Sequence, residues 1–204
     1  MQIILKTEHP LAEVKAATGK NWDEWFSILD KRGGIPQGRR SIGDFLYKEC
    51  KLDPWWCATI NIEYEAARGA VEKDGRPKGY MICVTKTIAV PVDKAFAAWG
   101  SAERLNEWFA TKTSAEVADG GRYSNEDGDT GTFKRVRKNK DLRFTWENPA
   151  HNPPTIVDVV FQDKGKGKTG VMITHDRIQK REQADGLREG WARALDRLKS
   201  LLEG

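Results

Sequence analysis

Cysteine is scarce in this chain, with three residues in 204, at positions 50, 57 and 83. The number is odd, the spacing is irregular and no CxxC pair occurs, so neither a disulfide framework nor a thiolate zinc site is indicated. Histidine is equally rare, at 9, 151 and 175. His9 falls in a terminal segment and His151 in a proline-rich loop, without spacing to other ligands, so no metal and no cofactor is expected. No apolar stretch approaches the length of a membrane span, and the N-terminus lacks the basic-then-apolar pattern of a secretory signal. A cytoplasmic protein that engages no membrane is therefore expected. An excess of one charge is lacking as well. The 34 Lys and Arg against 30 Asp and Glu leave a net +4 with both signs interspersed, a balance that argues against a nucleic-acid partner. Nor does a nucleophile elbow, a paired-carboxylate motif or a Cys–His arrangement stand out. Gly165-Lys-Gly-Lys-Thr-Gly170 matches GxGxxG in form, but it joins two expected strands and opens no helix, so it reads as a hairpin turn.

Tryptophan, by contrast, is abundant: eight residues, at 22, 25, 55, 56, 99, 108, 146 and 191, spread along the chain as core and pocket material. The segment from Arg181 to Glu203 carries Ala184, Leu187, Trp191, Ala194, Leu195, Leu198, Leu201 and Leu202 at steps of three and four, which predicts one amphipathic helix with a broad apolar stripe. Such a helix requires a surface to lie on, and the hundred residues before it read as a sheet able to hold it.

Residues 1–69 read as a small bundle of three or four helices. A first segment runs from Glu8 to Ala17 and ends at Thr18-Gly19. Asn21 caps a helix through Lys31 that presents Trp22, Trp25, Phe26 and Leu29 on one face and stops at Gly33-Gly34. Ile35 to Arg40 is expected as a loop, and Ser41 with Asp44 as a capping box opening the next helix. Asp53-Pro54 starts the last one, which stops at Gly69. Arg32, Arg39, Arg40, Lys48 and Lys51 suggest a basic face, blunted by Asp30, Asp44, Glu49 and Asp53. A protein-interaction module fits better, notably if Trp55 or Trp56 is exposed. Residues 70–79 are polar, hold Gly75 and Pro77, and read as a linker. From Tyr80 the period changes. A strand reaches Pro91, Asp93 caps a helix with Phe96 and Trp99, and a second short helix carries Leu105, Trp108 and Phe109. About six half-buried antiparallel strands follow, among them one alternating at Val171, Ile173 and His175.

That order, together with Thr87-Ile-Ala-Val-Pro-Val-Asp-Lys-Ala-Phe96, Leu105-Asn-Glu-Trp-Phe109, Gly120-Gly-Arg-Tyr123, Gly128 with Gly131-Thr-Phe133, Leu142-Arg-Phe-Thr-Trp-Glu147, Val171-Met-Ile-Thr-His-Asp176 and Gly190-Trp191, resembles the START-like (SRPBCC) superfamily. Within it, residues 80–203 are most similar to the homologues of the heat-shock-protein-90 ATPase activator C-terminal domain. Residues 1–69, with Gly19-Lys-Asn-Trp-Asp-Glu-Trp-Phe26 and Tyr64-Glu-Ala-Ala-Arg-Gly69, resemble a helical domain of unknown function fused to such domains in bacteria. The resemblance implies an α+β helix-grip fold in residues 80–204, an antiparallel sheet wrapped around the C-terminal helix, preceded by the all-α bundle. It also implies a cavity that in many members holds an apolar or amphipathic ligand, although the fold alone does not settle activity.

Phe96, Trp99, Trp108, Phe109, Tyr123, Phe133, Phe144, Trp146 and Trp191 are the aromatic candidates for the cavity wall, with Trp108-Phe109 placed to act as a lid. The alternative is that these rings pack on one another and leave no usable space. His175 shares the inward strand face and would orient a ligand or move a proton, or else be hydrogen-bonded structure. The expectation is a binding protein for a small apolar or amphipathic ligand, tied to stress or regulation, with a protein partner for the helical domain. A co-chaperone acting on a chaperone ATPase, and a cyclase or hydrolase using His175 and Tyr123, stand as alternatives.

Overall fold

The computed structural model describes residues 11–110, 112–149 and 151–204. Two compact units emerge: one holds the described residues up to Tyr80 with Gln179–Arg181, the other Met81–Ile178 and Glu182–Gly204. His9 lies outside the described residues. No helix is long and apolar enough to cross a membrane among the described residues.

The helical unit contains α1 (Leu11–Thr18), α2 (Trp22–Lys31), α3 (Gly38–Asp44) and α4 (Pro54–Ala67). Asn21 caps α2 with a full capping box, its side chain accepting from Glu24 N while Glu24 returns the bond. Asp53 caps α4 ahead of Pro54. The expected box at Ser41 is not formed. Ile35–Gln37 is a 3-10 turn and α3 already begins at Gly38, so Ser41 lies inside the helix and pairs with Gln37 instead. After α3 the chain widens into one π-helical stretch, Phe45–Glu49. Val14, Trp25, Leu29, Ile42, Leu46, Ile60 and Tyr64 make the core. Trp55 and Trp56 are half-buried. The basic face is cancelled by pairs such as Arg32–Glu49 and Lys48–Asp44.

The second unit is built on β1 (Tyr80–Ile88), α5 (Val92–Ala97), α6 (Ala102–Trp108), β2 (Ser114–Ala115), β3 (Arg122–Ser124), β4 (Thr130–Arg137), β5 (Asp141–Asn148), β6 (His151–Gly165), β7 (Lys168–Ile178) and α7 (Arg181–Glu203). The seven strands form one sheet in the order β1-β7-β6-β5-β4-β3-β2. β1 stops at Ile88, short of Pro91, which occupies the N-cap position of α5, while Asp93 sits in the first turn. His151, expected in a loop, opens β6. Gly165 to Lys168 turns the β6–β7 hairpin, with Lys166 and both flanking glycines at positive φ.

Register shifts between Phe133 and Arg135, and between Trp146 and Asn148, break the ladders, and such irregularities increase the local twist of a sheet. α7 buries Ala184, Trp191, Ala194, Leu195 and Leu198, each large side chain contributing roughly 1.5–3 kcal/mol. The outer face of the sheet is charged. Asp141 is buried between Arg135, at 2.7 Å, and Arg137, and Asp158 takes Arg135 and Arg143. This is the helix-grip α+β fold.

Two expectations follow from the sheet. A Cβ on Gly131 would lie 1.9 Å from Thr145 O and 2.4 Å from the Tyr123 ring. Gly131→Ala should therefore cost about 3 kcal/mol, read from urea denaturation; an unchanged midpoint would refute the close approach. The Arg137 guanidinium, with Arg135 beside it, holds the Asp141 carboxyl below its ordinary value against the push of burial. A carboxylate lowered in the folded state contributes stability above its unfolded value of about 3.9, which is lost as pH falls through the folded one. Asp141→Asn should remove that acid-side slope and cost on the order of 1 kcal/mol at neutral pH, the half-exposed arginines being screened. Melting curves from pH 2 to 7 measure both.

Candidate functional site

The strand period places the site's floor. Alternation along β5 turns Leu142, Phe144 and Trp146 inward, and the register pairs Trp146 with Thr155 on β6 and Val157 with His175 on β7. His175 is 0% exposed, and Trp191 of α7 lies against it. Trp191 Nε1 donates to His175 Nδ1 at 3.1 Å, and His175 Nε2 meets Thr155 Oγ1 at 2.7 Å. The Thr155 hydroxyl donates to Trp146 O at 3.2 Å. An indole nitrogen only donates, so Nδ1 accepts and the ring proton sits on Nε2. The imidazole is thus a structural link between helix and sheet in one fixed tautomer.

Aromatic rings fill the space around this link. Trp99 meets Trp108 at 4.6 Å between centroids and stacks on Trp191 at 6.4 Å. Phe109 stacks on Trp191 at 5.5 Å and sets its edge on Trp146 at 5.8 Å. Tyr123 packs on Phe133 and Phe144. Burial pushes the Tyr123 phenol well up, with the Asp129 and Glu147 charges adding to it, and its hydroxyl donates to Thr145 O at 3.3 Å. Trp108 gives its N–H to Ala98 O. The α6 end is tied down from α7, where Arg197 Nε and Nη2 donate to Trp108 O and Phe109 O at 2.7 and 3.1 Å.

Two spaces remain. An inner hollow of about 10 Å³ is bounded by Trp99, Leu105, Phe109, Tyr123, Phe133 and Phe144; it is the size of one water molecule at most. Trp99 also carries a buried indole N–H without an acceptor among the described residues. Outside it, a half-open cleft of about 200 Å³ is walled by Phe109, Trp146 and Trp191, by Asn125, Asp127 and Asp129 from the β3–β4 turn, and by Gly186, Leu187, Gly190, Ala194 and Arg197 from α7, with Ala110 at its edge. Phe109 borders both spaces. Of the ten residues expected at the site, Trp99, Phe109, Tyr123, Phe133, Phe144, Trp146 and Trp191 face one space or the other. Phe96, which packs on Phe161, Trp108 and His175 border neither.

The polar and glycine parts of the cleft were not anticipated. Asp129 is 8% exposed, and its carboxylate accepts from Trp146 Nε1 at 3.0 Å, Asn148 Nδ2 at 2.7 Å and Asn125 Nδ2 at 3.2 Å. A Cβ at Gly186 or Gly190 would meet nothing within 4 Å, so the cleft occupies the room that side chains there would fill. Two glycines four apart in an otherwise regular amphipathic helix were the signal available in the sequence. No group of His, Cys, Asp and Glu able to hold a metal occurs among the described residues.

Known proteins share this architecture. CalU16 from Micromonospora echinospora superposes with a TM-score of 0.55 at 21% identity, over 60% of this chain and 75% of its own. An HSP90 activator from Plasmodium falciparum gives 0.54 at 21%, over 61% and 97%. The Aha1 dimer from Colwellia psychrerythraea gives 0.54 at 20%, over 61% and 96%. At such identities the likeness is one of fold. No curated protein matches the chain in sequence. The family model described as activator of Hsp90 ATPase homolog 1-like protein matches residues 89–203, a span that takes in both spaces and the helix that walls the outer one. By that match the chain belongs to the activator of Hsp90 ATPase homolog 1-like family.

Proposed function

We propose that this protein is a two-domain binding protein whose helix-grip domain takes a small apolar or amphipathic ligand in the cleft between α7 and the sheet, while the helical domain serves an interaction. The observation that carries the reading is the cleft of about 200 Å³ walled by three aromatic rings and by two glycines of α7. Rigid rings offer apolar area at little entropic cost, and a few polar groups at the rim orient what binds. The inner hollow is too small for a ligand as it stands, so the outer cleft is the seat and Phe109 its inner wall. Acid–base catalysis finds less support. His175 spends both ring nitrogens on Trp191 and Thr155, and the Tyr123 hydroxyl is buried and hydrogen-bonded.

Family membership supports a second reading, a co-chaperone-like protein that binds a chaperone ATPase and alters its turnover; a relative from Plasmodium falciparum is described as an HSP90 activator. On that reading, a pull-down recovers the chaperone and its ATPase rate changes. Recovery of none, with the rate unmoved, removes it.

Filling the cleft tests the first reading. Gly190→Leu puts a side chain into the cleft while raising helix propensity by roughly 0.5–1 kcal/mol. The variant should melt at the same temperature or higher, yet lose binding of the neutral dye N-phenyl-1-naphthylamine at least tenfold (about 1.4 kcal/mol). Native mass spectrometry of gently purified wild type should show a ligand mass that the variant lacks. Equal dye binding by both proteins would overturn the proposal.

A further inference from the structure

We infer that the ligand of the cleft carries a positive charge: an amine or quaternary ammonium on a small aromatic or aliphatic body, held against the Phe109, Trp146 and Trp191 rings with its cationic end toward Asp129 and Asp127. This rests on the binding reading above and adds the charge of the ligand to it. The cavity supplies the first reason. Phe109, Trp146 and Trp191 border it, and aromatic rings beside a bound cation attract it, an indole most strongly.

The second reason is the state of Asp129. It is 8% exposed, and the donors that reach its carboxylate, from Trp146, Asn148 and Asn125, are all neutral. No cation pairs with Asp129 or Asp127 among the described residues, whereas neighbouring Glu126 is matched by Lys112 at 2.6 Å. A carboxylate withdrawn from water without a counter-charge is costly, and hydrogen bonds from neutral groups offset only part of that cost. A cation arriving in the cleft completes the pair in a setting of low dielectric. Arg197 is the positive group on the same wall, and its Nε and Nη2 are directed at the Trp108 and Phe109 carbonyls. The local balance is therefore two carboxylates to one guanidinium already engaged elsewhere. Trp146 joins the two arguments, since its ring walls the cleft while its N–H binds Asp129.

Three probes of one shape separate the possibilities: benzyltrimethylammonium, benzyl alcohol and benzoate, titrated into the full chain while the indole N–H resonances of Trp146 and Trp191 are followed. The cation should bind about tenfold more tightly than the alcohol, with benzoate weakest, and it should shift the Trp146 N–H most. Asp129→Asn should bring cation and alcohol to nearly equal affinity. If that buried substitution unfolds the protein, the exposed Asp127→Asn still has to narrow the gap measurably. Equal binding of all three probes, a preference for benzoate, or a cation preference untouched by the folded variants overturns the charge assignment and leaves the apolar binding site standing. Failure of every probe to bind overturns both.

Discussion

α7 is joined to the sheet by a directional chain that begins at the Trp191 indole, passes through the His175 ring and the Thr155 hydroxyl, and ends on the Trp146 carbonyl. Apolar packing can hold a helix against a sheet in many rotations and slides, because burial has no direction. Hydrogen bonds made in the dry interior do have direction, and leaving one unmade there costs more than making it gains. This chain fixes the rotation of α7, and with it which residues look into the cleft. With Trp191 locked, Gly186, Gly190 and Ala194 fall on the cleft side and Leu195 and Leu198 on the closed side. Phe109 completes the arrangement by stacking on the anchored indole.

Much of this fold was legible in the sequence because the signals are local. Asn21 and Glu24 declare a helix start within four residues, and the alternation of Val171, Ile173 and His175 declares a strand face within five. The amphipathic stripe of α7 needed only its own period. Ser41 misled because a capping box is a pattern that any Ser and acid three apart can imitate. The real start at Gly38 follows a 3-10 turn with no side-chain cap. His151 and its prolines read as loop because proline usually interrupts strands, whereas here they lie in the opening stretch of β6.

The candidate site was half legible, for a reason of distance along the chain. Its aromatic residues announce themselves by type, and the sheet gathers them. What distinguishes a ring that walls a space from one that merely packs is set by its neighbours. Trp108 and Trp146 look alike in sequence, yet one gives its N–H to Ala98 and borders no cavity while the other walls the cleft and binds Asp129. The role of His175 required the registers of three strands and the position of a helix sixteen residues later. Nothing local to Asp129 marks it as part of a site, since only the β3–β4 turn brings its carboxylate to the Trp146 N–H.

The glycines of α7 carry a consequence for how the molecule moves. Each stands where alanine would make the helical backbone firmer by about 1 kcal/mol, and both lie in the N-terminal part of the helix, ahead of the Leu195 and Leu198 that seal its other half. Local opening should therefore be graded along a single rod, with amide hydrogens near Gly186 and Gly190 exchanging sooner than those beyond Ala194. On the binding reading, the least reinforced stretch of the rod is the one beside the cleft, and that is where a ligand would pass.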